Sequence, residues 1–331
     1  MSSVTSQPRR SFTAELYAPI ATDLQAVERV LAETLASQRP AVARILEHLE
    51  CYRGKRLRPA LLLLTAQACG NVNSDHHTLG AVVEMIHTAT LVHDDVLDSA
   101  SVRRHRPTVN VNWGNQNSIL LGDYLFTHAF HLAAMVDARA CRLIGAATNR
   151  VCEGELHQGT ERGNLDLSEE DYLDMIDGKT AELTSCCCRL GAQYAGASDA
   201  VVERLADFGR WLGISFQIAD DLLDLVGEEQ TTGKSLGTDV EQQKLTLPLI
   251  RLLAKAPVES ATRLRQILQS PGNHKREAIR PFLLENGALQ YASGRAEEYA
   301  ARARDELDCL PASPCKHILE QLTAQVVHRN R

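Results

Sequence analysis

LADFGRWLGISFQIADDLLDLV, residues 205–226, is the most regular segment of the chain. Its large apolar residues recur at the three- and four-residue spacing of an α-helix, at Leu205, Phe208, Leu212 and Phe216. The segment lies inside a proline-free interval that runs from Thr108 to Leu247. An interval of this length is hard to reconcile with a loop-rich β fold. We therefore predict an all-α protein.

The composition is that of a folded protein. The chain has 331 residues, of which 44% are hydrophobic and 23% charged, and this balance excludes a disordered class. Segments 81–92 and 211–225 are apolar on more than one helical face, as in the interior of a large bundle. No linker divides the chain, so we predict one domain over residues 1–331, in which about residues 1–20 form a loosely ordered arm.

Charge and hydropathy exclude several classes of partner. The net charge of −7 argues against nucleic acid as a partner. The longest apolar run, Ala60–Leu64, is far shorter than the roughly 18 residues of a membrane span. The N-terminus lacks the apolar region of a secretory signal. We expect no integral membrane segment and a cytoplasmic location.

Two segments repeat one spacing of aspartates, LVHDDVLD at residues 91–98 and QIADDLLD at residues 217–224. At 100° per residue, acids at i, i+1 and i+4 project from one side of a helix within about one turn. Such crowded charges repel, and their neighbours are apolar, so the pattern predicts bound cations. Carboxylate oxygens suit Mg²⁺, which completes its shell with water and phosphate. The six candidate ligands are Asp94, Asp95, Asp98, Asp220, Asp221 and Asp224.

Basic residues are grouped near both clusters. One group directly precedes Pro59, a natural first residue for an apolar helix. Cations at a helix N-terminus oppose the helix dipole unless an anion is held there. Together with two metal-type clusters, the basic groups predict a pocket for two phosphorylated ligands. Their members are Arg53, Lys55, Arg56 and Arg58; Arg103 and Arg104; Lys179, beside Thr180; and Lys234 and Lys244.

The motifs resemble those of the trans-prenyl diphosphate synthases, which elongate isoprenoid chains head to tail. The matching segments follow the family's order: GKRLRP at 54–59, DDVLDSASVRRHRPTVN at 94–110, GKTAEL at 178–183 and FQIADDLLDLVGEEQTTGKSLGTDVEQQKLTLP at 216–248. MIHTATLVHDD and GDYLFTHAF are most similar to the bacterial octaprenyl diphosphate synthases. Two residues depart from the family pattern, Gln243 where glycine is usual and His105 where smaller residues are common.

The resemblance implies an isoprenoid synthase-type bundle around a central cavity, a homodimer and a cycle of ionisation, condensation and elimination. About three Mg²⁺ ions, with Mn²⁺ as a possible substitute, would be held by the six aspartates on a farnesyl or geranyl diphosphate primer. Isopentenyl diphosphate would bind Lys55, Arg58, His87 and Arg104. The allylic diphosphate would bind Arg103, Lys179, Thr180, Gln217, Lys234 and Lys244. The implied catalytic set is Asp94, Asp95, Asp98, Asp220, Asp221, Lys179 and Lys234.

Product length follows from the helix that carries the first cluster. Aromatic residues just before this cluster block the pocket in short-chain members of the family, whereas this chain has Ala89 and Thr90. We therefore expect an open tunnel and a product of about C40, for quinone side chains. The tunnel would continue along Ile86, Val82 and Val83, and Phe126 and Phe130 are candidates for its floor, although ordinary core packing is the simpler explanation for these two phenylalanines.

Other functions agree less well with the sequence. Geranylgeranyl, farnesyl or nonaprenyl synthesis remains open within the same family. A class I terpene cyclase commonly has aromatic walls, whereas only 5% of this chain is aromatic. His93-Asp94 could belong to an HD-type hydrolase, which leaves the second cluster unexplained. Glu153, Glu155 and His157 lack the spacing of a di-iron bundle. A regulatory subunit of a heteromeric synthase would have lost ligands that are all present here.

Overall fold

The computed structural model describes residues 16–227, 236–271 and 274–328. Its regular structure is almost entirely helical, as predicted. The first helices are α1 (Ala21–Thr34), α2 (Pro40–His48), α3 (Leu57–Cys69), α4 (Ser74–Leu97), α5 (Val109–Val136) and α6 (Ala138–Thr160). They are followed by α7 (Glu169–Ile176), α8 (Glu182–Tyr194), α9 (Asp199–Val226), α10 (Thr238–Glu241) and α11 (Leu247–Lys255). The last are α12 (Val258–Gln269), α13 (Lys275–Glu285), α14 (Ala288–Glu306) and α15 (Pro314–His328).

Shorter elements connect these helices. Residues Ala18–Ile20, Leu49–Tyr52 and Leu307–Cys309 form 3₁₀ turns, and Asp177–Ala181 forms one π-helical turn between α7 and α8. Strands β1 (Val102–Arg103) and β2 (Arg106–Pro107) pair antiparallel in a hairpin, with Val102 opposite Pro107. This hairpin is the only sheet among the residues that the structure describes.

The two aspartate-bearing helices, α4 and α9, occupy the interior of the bundle. Helix α4 packs mainly on α5, α9 packs on α8 and α14, and α8 contacts both α4 and α9. Leu205, Phe208 and Leu212 on α9 are fully or almost fully buried, which explains the apolar spacing of this segment. Each cluster lies in the last turns of its helix, where the helix dipole is negative. A cation at these ends is therefore attracted both by the carboxylates and by the negative ends of the helix dipoles.

The start of the described chain differs from the sequence prediction. Residues 1–15 lie outside the described residues, but Leu16, Tyr17 and Ile20 are buried in the main core. The expected loose arm through residue 20 is therefore wrong for residues 16–20, because these apolar side chains pack against the bundle.

Helix α5 passes the length and composition test for a membrane span. Its most apolar 18-residue window has a mean hydropathy of 1.4, and 28% of that window is buried in the bundle. Counting uninterrupted apolar runs missed this helix, because isolated polar residues divide it. One such helix is weak evidence for a membrane span, since core helices of bundles have the same composition.

Candidate active site

The first aspartate cluster separates into two parts. The side chains of Asp94 and Asp98 are half-buried at the C-terminal end of α4, whereas Asp95 is 1% exposed. Burial raises the pKa of Asp94 to about 6; Lys179 opposes this shift, and Glu155 and Asp98 add to it. A carboxyl group in this setting gains stability from a cation beside it.

Asp95 is directed away from its two neighbours into a hydrogen-bonded network. Its carboxylate accepts two bonds from Arg103, from Nε at 3.0 Å and from Nη2 at 2.7 Å, both to Oδ1. The Tyr52 hydroxyl donates to Oδ2 at 2.5 Å. Both oxygens are thus engaged by protein groups, which differs from the sequence assignment of Asp95 as a metal ligand. The physical reason is the 100° rotation between consecutive helical residues.

The hairpin β1–β2 presents the paired arginines to the site. Arg104 and His105 form its turn with φ values of 49° and 63°, so the chain reverses directly after Arg103. Arg104 donates through Nη1 to the carbonyl oxygen of Tyr52. A Cβ on Gly54 would lie 2.5 Å from Arg104 Nη2, so a larger residue in GKRLRP would displace the Arg104 guanidinium from this position.

Asp98 joins the first cluster to distant parts of the chain. Lys244 Nζ and Arg162 Nη2 both donate to its Oδ1 at 3.0 Å. The side chain of Gln242 donates to the Asp98 carbonyl at 3.2 Å. Gln243, where the sequence lacks the usual glycine, has a left-handed φ of 59°. The structure therefore brings the predicted residue Lys244 to the first cluster.

The π-helical turn Asp177–Ala181 places adjacent residues toward different clusters. Lys179 Nζ lies 2.6 Å from Glu155 Oε1 and donates to Gln158 Oε1 at 3.0 Å. The pKa of Lys179 is raised despite burial, because Asp94 and Glu155 favour its charged form. Thr180 instead donates to Gln217 Oε1 at 2.8 Å, next to the second cluster.

The second cluster repeats the division found in the first. Asp221 is buried and accepts bonds from the Tyr172 hydroxyl and from Gln217 Nε2, both at 2.7 Å. Burial, reinforced by Asp239, raises the pKa of Asp221 well above its ordinary value. Asp220 is half-buried. As with Asp95, the protein contacts of Asp221 differ from its sequence assignment as a ligand.

Asp224 organises the backbone after the second cluster. Its Oδ1 accepts a bond from the Thr238 hydroxyl at 3.0 Å, and its Oδ2 accepts from the Asp239 amide at 3.2 Å. The Gly237 amide donates to the Asp224 carbonyl at 2.9 Å. These bonds hold the segment that leads to Lys244, and the assignment of Asp224 as a metal ligand remains a prediction. Lys234 lies outside the described residues.

Arg58 and His87 lie in a second part of the site, where Arg58 supplies the positive charge. Arg58 Nε is buried, and it makes no hydrogen bond within the described parts of the chain. Burial lowers the pKa of this guanidinium. Burial also lowers the pKa of His87 well below its ordinary value, and Arg58 and Arg103 reinforce the shift. Lys55 is exposed. A buried guanidinium nitrogen without a partner favours an anionic ligand at this point.

Arg56, within the same basic motif, has a structural role. It has a left-handed φ of 52° and donates to Glu28 Oε1 and Glu84 Oε1, both at 2.6 Å. Glu84 is 4% exposed, and Arg56 is the cation that pairs with this buried side chain. The four basic residues at 53–58 therefore have different roles: Arg56 pairs with acids of the protein, whereas Arg58 is available to a ligand.

The residues predicted to line the tunnel are tightly packed. Ala89, Ile86, Val82 and Val83 are fully buried, Thr90 is half-buried, and Phe126 and Phe130 pack partly buried against the core. A cavity of about 430 Å³ lies on another side of α4. Met85, Thr88 and Leu125 form part of its wall, together with side chains from α1 and α2. The tunnel along Ala89 and Ile86 remains a prediction.

The side chains present fit a divalent cation. Within residues 16–227, 236–271 and 274–328, no group of three His, Cys, Asp or Glu side chains is arranged to hold an ion by itself. Mg²⁺ does not need such a cage, because it takes one or two carboxylates and completes its shell with water and substrate phosphate. Asp94, whose pKa is raised in a crowded acidic setting, matches that donor set.

Comparison with known proteins agrees with this geometry. A model of the polyprenyl synthetase family matches residues 39–283. The chain belongs to the polyprenyl synthetase family. It is therefore a prenyltransferase of the trans-prenyl diphosphate synthase type, whose substrates are isopentenyl diphosphate and an allylic diphosphate.

Individual relatives differ in the product that their names give. A nonaprenyl diphosphate synthase from Rhodobacter capsulatus, described as geranyl-diphosphate specific, is 36% identical over 96% of this chain and 98% of its own. The octaprenyl diphosphate synthase of Escherichia coli K12 is 34% identical over 94% and 97%. A polyprenyl synthase from Caulobacter crescentus, complexed with calcium and isoprenyl diphosphate, has 34% identity and a TM-score of 0.92 over 98% and 100%.

Several site residues were not identified from the sequence. Glu155 was considered only as a di-iron ligand and Gln158 was not considered at all, yet both contact Lys179. Arg162 lies in a polar turn that has no motif. Tyr52 and Tyr172 gave no signal, because the acids they contact lie 43 and 49 positions away.

Proposed function

We propose that this polyprenyl synthetase is a Mg²⁺-dependent enzyme that adds isopentenyl units to an allylic primer and makes an all-trans product of about C40. The observation that carries this proposal is the division of each aspartate cluster. Asp94, Asp98 and Asp220 lie at the site, while Asp95 and Asp221 hold the surrounding residues in place. We infer that about three Mg²⁺ ions bind there with the primer's diphosphate.

Basic side chains of this protein would receive the two diphosphates separately. Arg103, Lys179 and Lys244, together with Lys234, would bind the allylic diphosphate, because the first three already contact acids of the first cluster or of its surroundings. Thr180 and Gln217 would orient it. Arg58, His87, Arg104 and Lys55 would hold isopentenyl diphosphate on the other side.

The reaction begins with cleavage of the allylic C–O bond, in which the bonding electrons leave with the pyrophosphate. Divalent cations held by Asp94, Asp98 and Asp220 would supply positive charge to this leaving group. Lys179, held by Glu155 and Gln158, is preorganised to stabilise the same negative charge. The double bond of isopentenyl diphosphate then forms the new C–C bond, and the resulting cation loses a proton, which we assign to the departing pyrophosphate. The product is a longer allylic diphosphate.

A long product agrees with the small side chains before the first cluster. In the proposed tunnel, a bulky side chain at either position would meet the growing hydrocarbon, whereas Ala89 and Thr90 are small. Relatives named for octaprenyl and nonaprenyl products support a product near C40, as a precursor of quinone side chains. Shorter products remain the main alternative within the family.

We propose that the active form is a cytoplasmic homodimer of single-domain subunits. Of the ten large apolar residues that are exposed in the described part of the chain, four lie on α5: Val111, Ile119, Leu120 and Met135. A second subunit that covered this helix would bury them and would also explain its membrane-like composition. Light scattering after size exclusion should give a dimer, and Leu120→Glu should shift it toward the monomer.

The test of activity is an elongation assay. Purified protein is incubated with Mg²⁺, labelled isopentenyl diphosphate and either geranyl or farnesyl diphosphate, and the extracted products are sized by chromatography. A labelled product of about eight isoprenoid units supports the proposal. Failure to incorporate label with every primer would overturn it, and release of an unlabelled cyclic hydrocarbon would identify a terpene cyclase instead.

Two variants make the assay specific to the site. Asp94→Asn should lower kcat by about 10²–10³, the usual effect of removing one preorganised electrostatic group. Asp308→Asn is the matched control, because Asp308 is exposed in the 3₁₀ turn Leu307–Cys309, remote in sequence from both clusters. Equal losses in both variants would show that the assay reports folding rather than catalysis.

A further inference from the structure

Tyr52 contacts both arginines of the hairpin through two different parts of the residue. Its hydroxyl donates to Asp95 Oδ2 at 2.5 Å, and Asp95 in turn accepts two bonds from Arg103. Its backbone carbonyl accepts a bond from Arg104 Nη1. One residue therefore supports a cation assigned to the allylic diphosphate and a cation assigned to isopentenyl diphosphate.

The surroundings of Tyr52 fix its hydroxyl in one position. The residue is 2% exposed, and the hydroxyl accepts the Val109 amide of α5 at 3.3 Å while donating to Asp95. The Arg103 guanidinium lies 5.7 Å from the centre of the Tyr52 ring, within the range of a cation–π contact. Tyr52 thus joins the 3₁₀ turn Leu49–Tyr52, the start of α5 and the first aspartate cluster.

We propose that Tyr52 is a positioning residue for the allylic diphosphate site, which it controls by holding Asp95 and through it Arg103. This inference rests on the proposed function of the two arginines. Without the tyrosine hydroxyl, Asp95 would lose one of its fixed hydrogen-bond partners. Arg103 would then sample other rotamers, and the diphosphate would have to order it on binding.

The geometry predicts different effects on the two substrates. Tyr52→Phe removes the hydroxyl but keeps the ring over Arg103 and the carbonyl that accepts from Arg104. The variant should raise KM for the allylic primer about tenfold, the effect of losing one hydrogen bond to a charged group. KM for isopentenyl diphosphate should change by less than a factor of two, because Arg104 keeps its partner.

A matched tyrosine serves as control. Tyr194 also donates to an aspartate, with its hydroxyl 2.8 Å from Asp137 Oδ1, but this pair caps the start of α6 away from both clusters. Tyr194→Phe should lower the melting temperature in the same way as Tyr52→Phe and leave both KM values unchanged. If the two variants have the same kinetic profile, Tyr52 has only a structural role.

Binding of pyrophosphate tests the proposal without turnover. Calorimetric titration of the folded protein with inorganic pyrophosphate, in the presence of Mg²⁺, should show about tenfold weaker binding for Tyr52→Phe than for the wild type and for Tyr194→Phe. Equal affinities of all three proteins would overturn the positioning role. A wild type that binds pyrophosphate but elongates no primer would instead overturn the proposed function, and the affinity comparison would still decide the role of Tyr52.

Discussion

Phenylalanine placed at three successive positions on α4 should shorten the product in regular steps. Ala89, Ile86 and Val83 precede Asp94 by five, eight and eleven residues. At 1.5 Å per residue they lie about 7, 12 and 16 Å along the helix axis from Asp94, so each position is about 4.5 Å from the next. Four C–C bonds of an isoprenoid unit span about 5 Å. Each step toward the N-terminus of α4 should therefore admit about one more five-carbon unit.

The assay is chromatography of the extracted products from Ala89→Phe, Ile86→Phe and Val83→Phe. All three positions are fully buried, so each variant should also lose about 1–3 kcal/mol of unfolding free energy from overpacking. Thr88→Phe is the control, because Thr88 lines the cavity and is rotated by 100° from Ala89 about the axis of α4. Products of unchanged length in all variants, or lengths that do not follow the order 89, 86, 83, would refute the tunnel assignment.

Four further changes test other parts of the structure. Arg56→Met should cost about 3 kcal/mol in urea denaturation, because it leaves Glu84 buried without its partner, and adding Glu84→Gln should recover part of the loss. Gly154→Ala should destabilise the protein, since its Cβ would lie 2.5 Å from the Lys179 amide nitrogen, whereas Gly159→Ala on the same helix meets nothing within 4 Å and should be neutral or stabilising. Gln243→Gly should raise the unfolding free energy or leave it unchanged, because it relieves a left-handed φ; a clear loss in thermal denaturation would count against this strain. In EDTA, Asp94→Asn should stabilise the protein by about 1–3 kcal/mol at pH 7.5. Because the pKa of Asp94 is raised to about 6 in the folded protein, its ionised form destabilises the fold at pH 7.5. The extra stability of Asp94→Asn should disappear below about pH 4, where the wild-type side chain is protonated in both the folded and the unfolded protein. An equal gain in unfolding free energy at pH 7.5 and below pH 4 would contradict this prediction.

The fold class and the two aspartate helices could be predicted because they depend on local periodicity. Leu205, Phe208 and Leu212 are buried as their spacing indicates, and both clusters lie on interior helices. The same helical geometry rotates Asp95 by 100° from Asp94, so the two side chains need not reach the same ligand. That rotation allows its contacts with Tyr52 and Arg103, whereas the prediction treated the three carboxylates as one set of ligands.

Contacts over long sequence distances could not be predicted. Nothing near Asp98 indicates that Lys244 and Arg162 share its oxygen, because the segments are joined only by the packed bundle. The π-helical turn at Asp177–Ala181 could not be predicted from the spacing of apolar residues either. It shifts the register between α7 and α8, so that the neighbouring residues Lys179 and Thr180 contact different partners. Likewise, the departures His105 and Gln243 gave no sign that both positions have a left-handed φ.

The hydrogen bond from Lys244 to Asp98 joins residues 146 positions apart. During synthesis, α4 is made first, Lys179 follows later and Lys244 later still. At about 5–20 residues per second, the first cluster therefore remains without these two cations for several seconds. Throughout that time its carboxylates repel one another in a chain whose partner helices do not yet exist. The site therefore gains its full set of charges only after the chain has been made past Lys244.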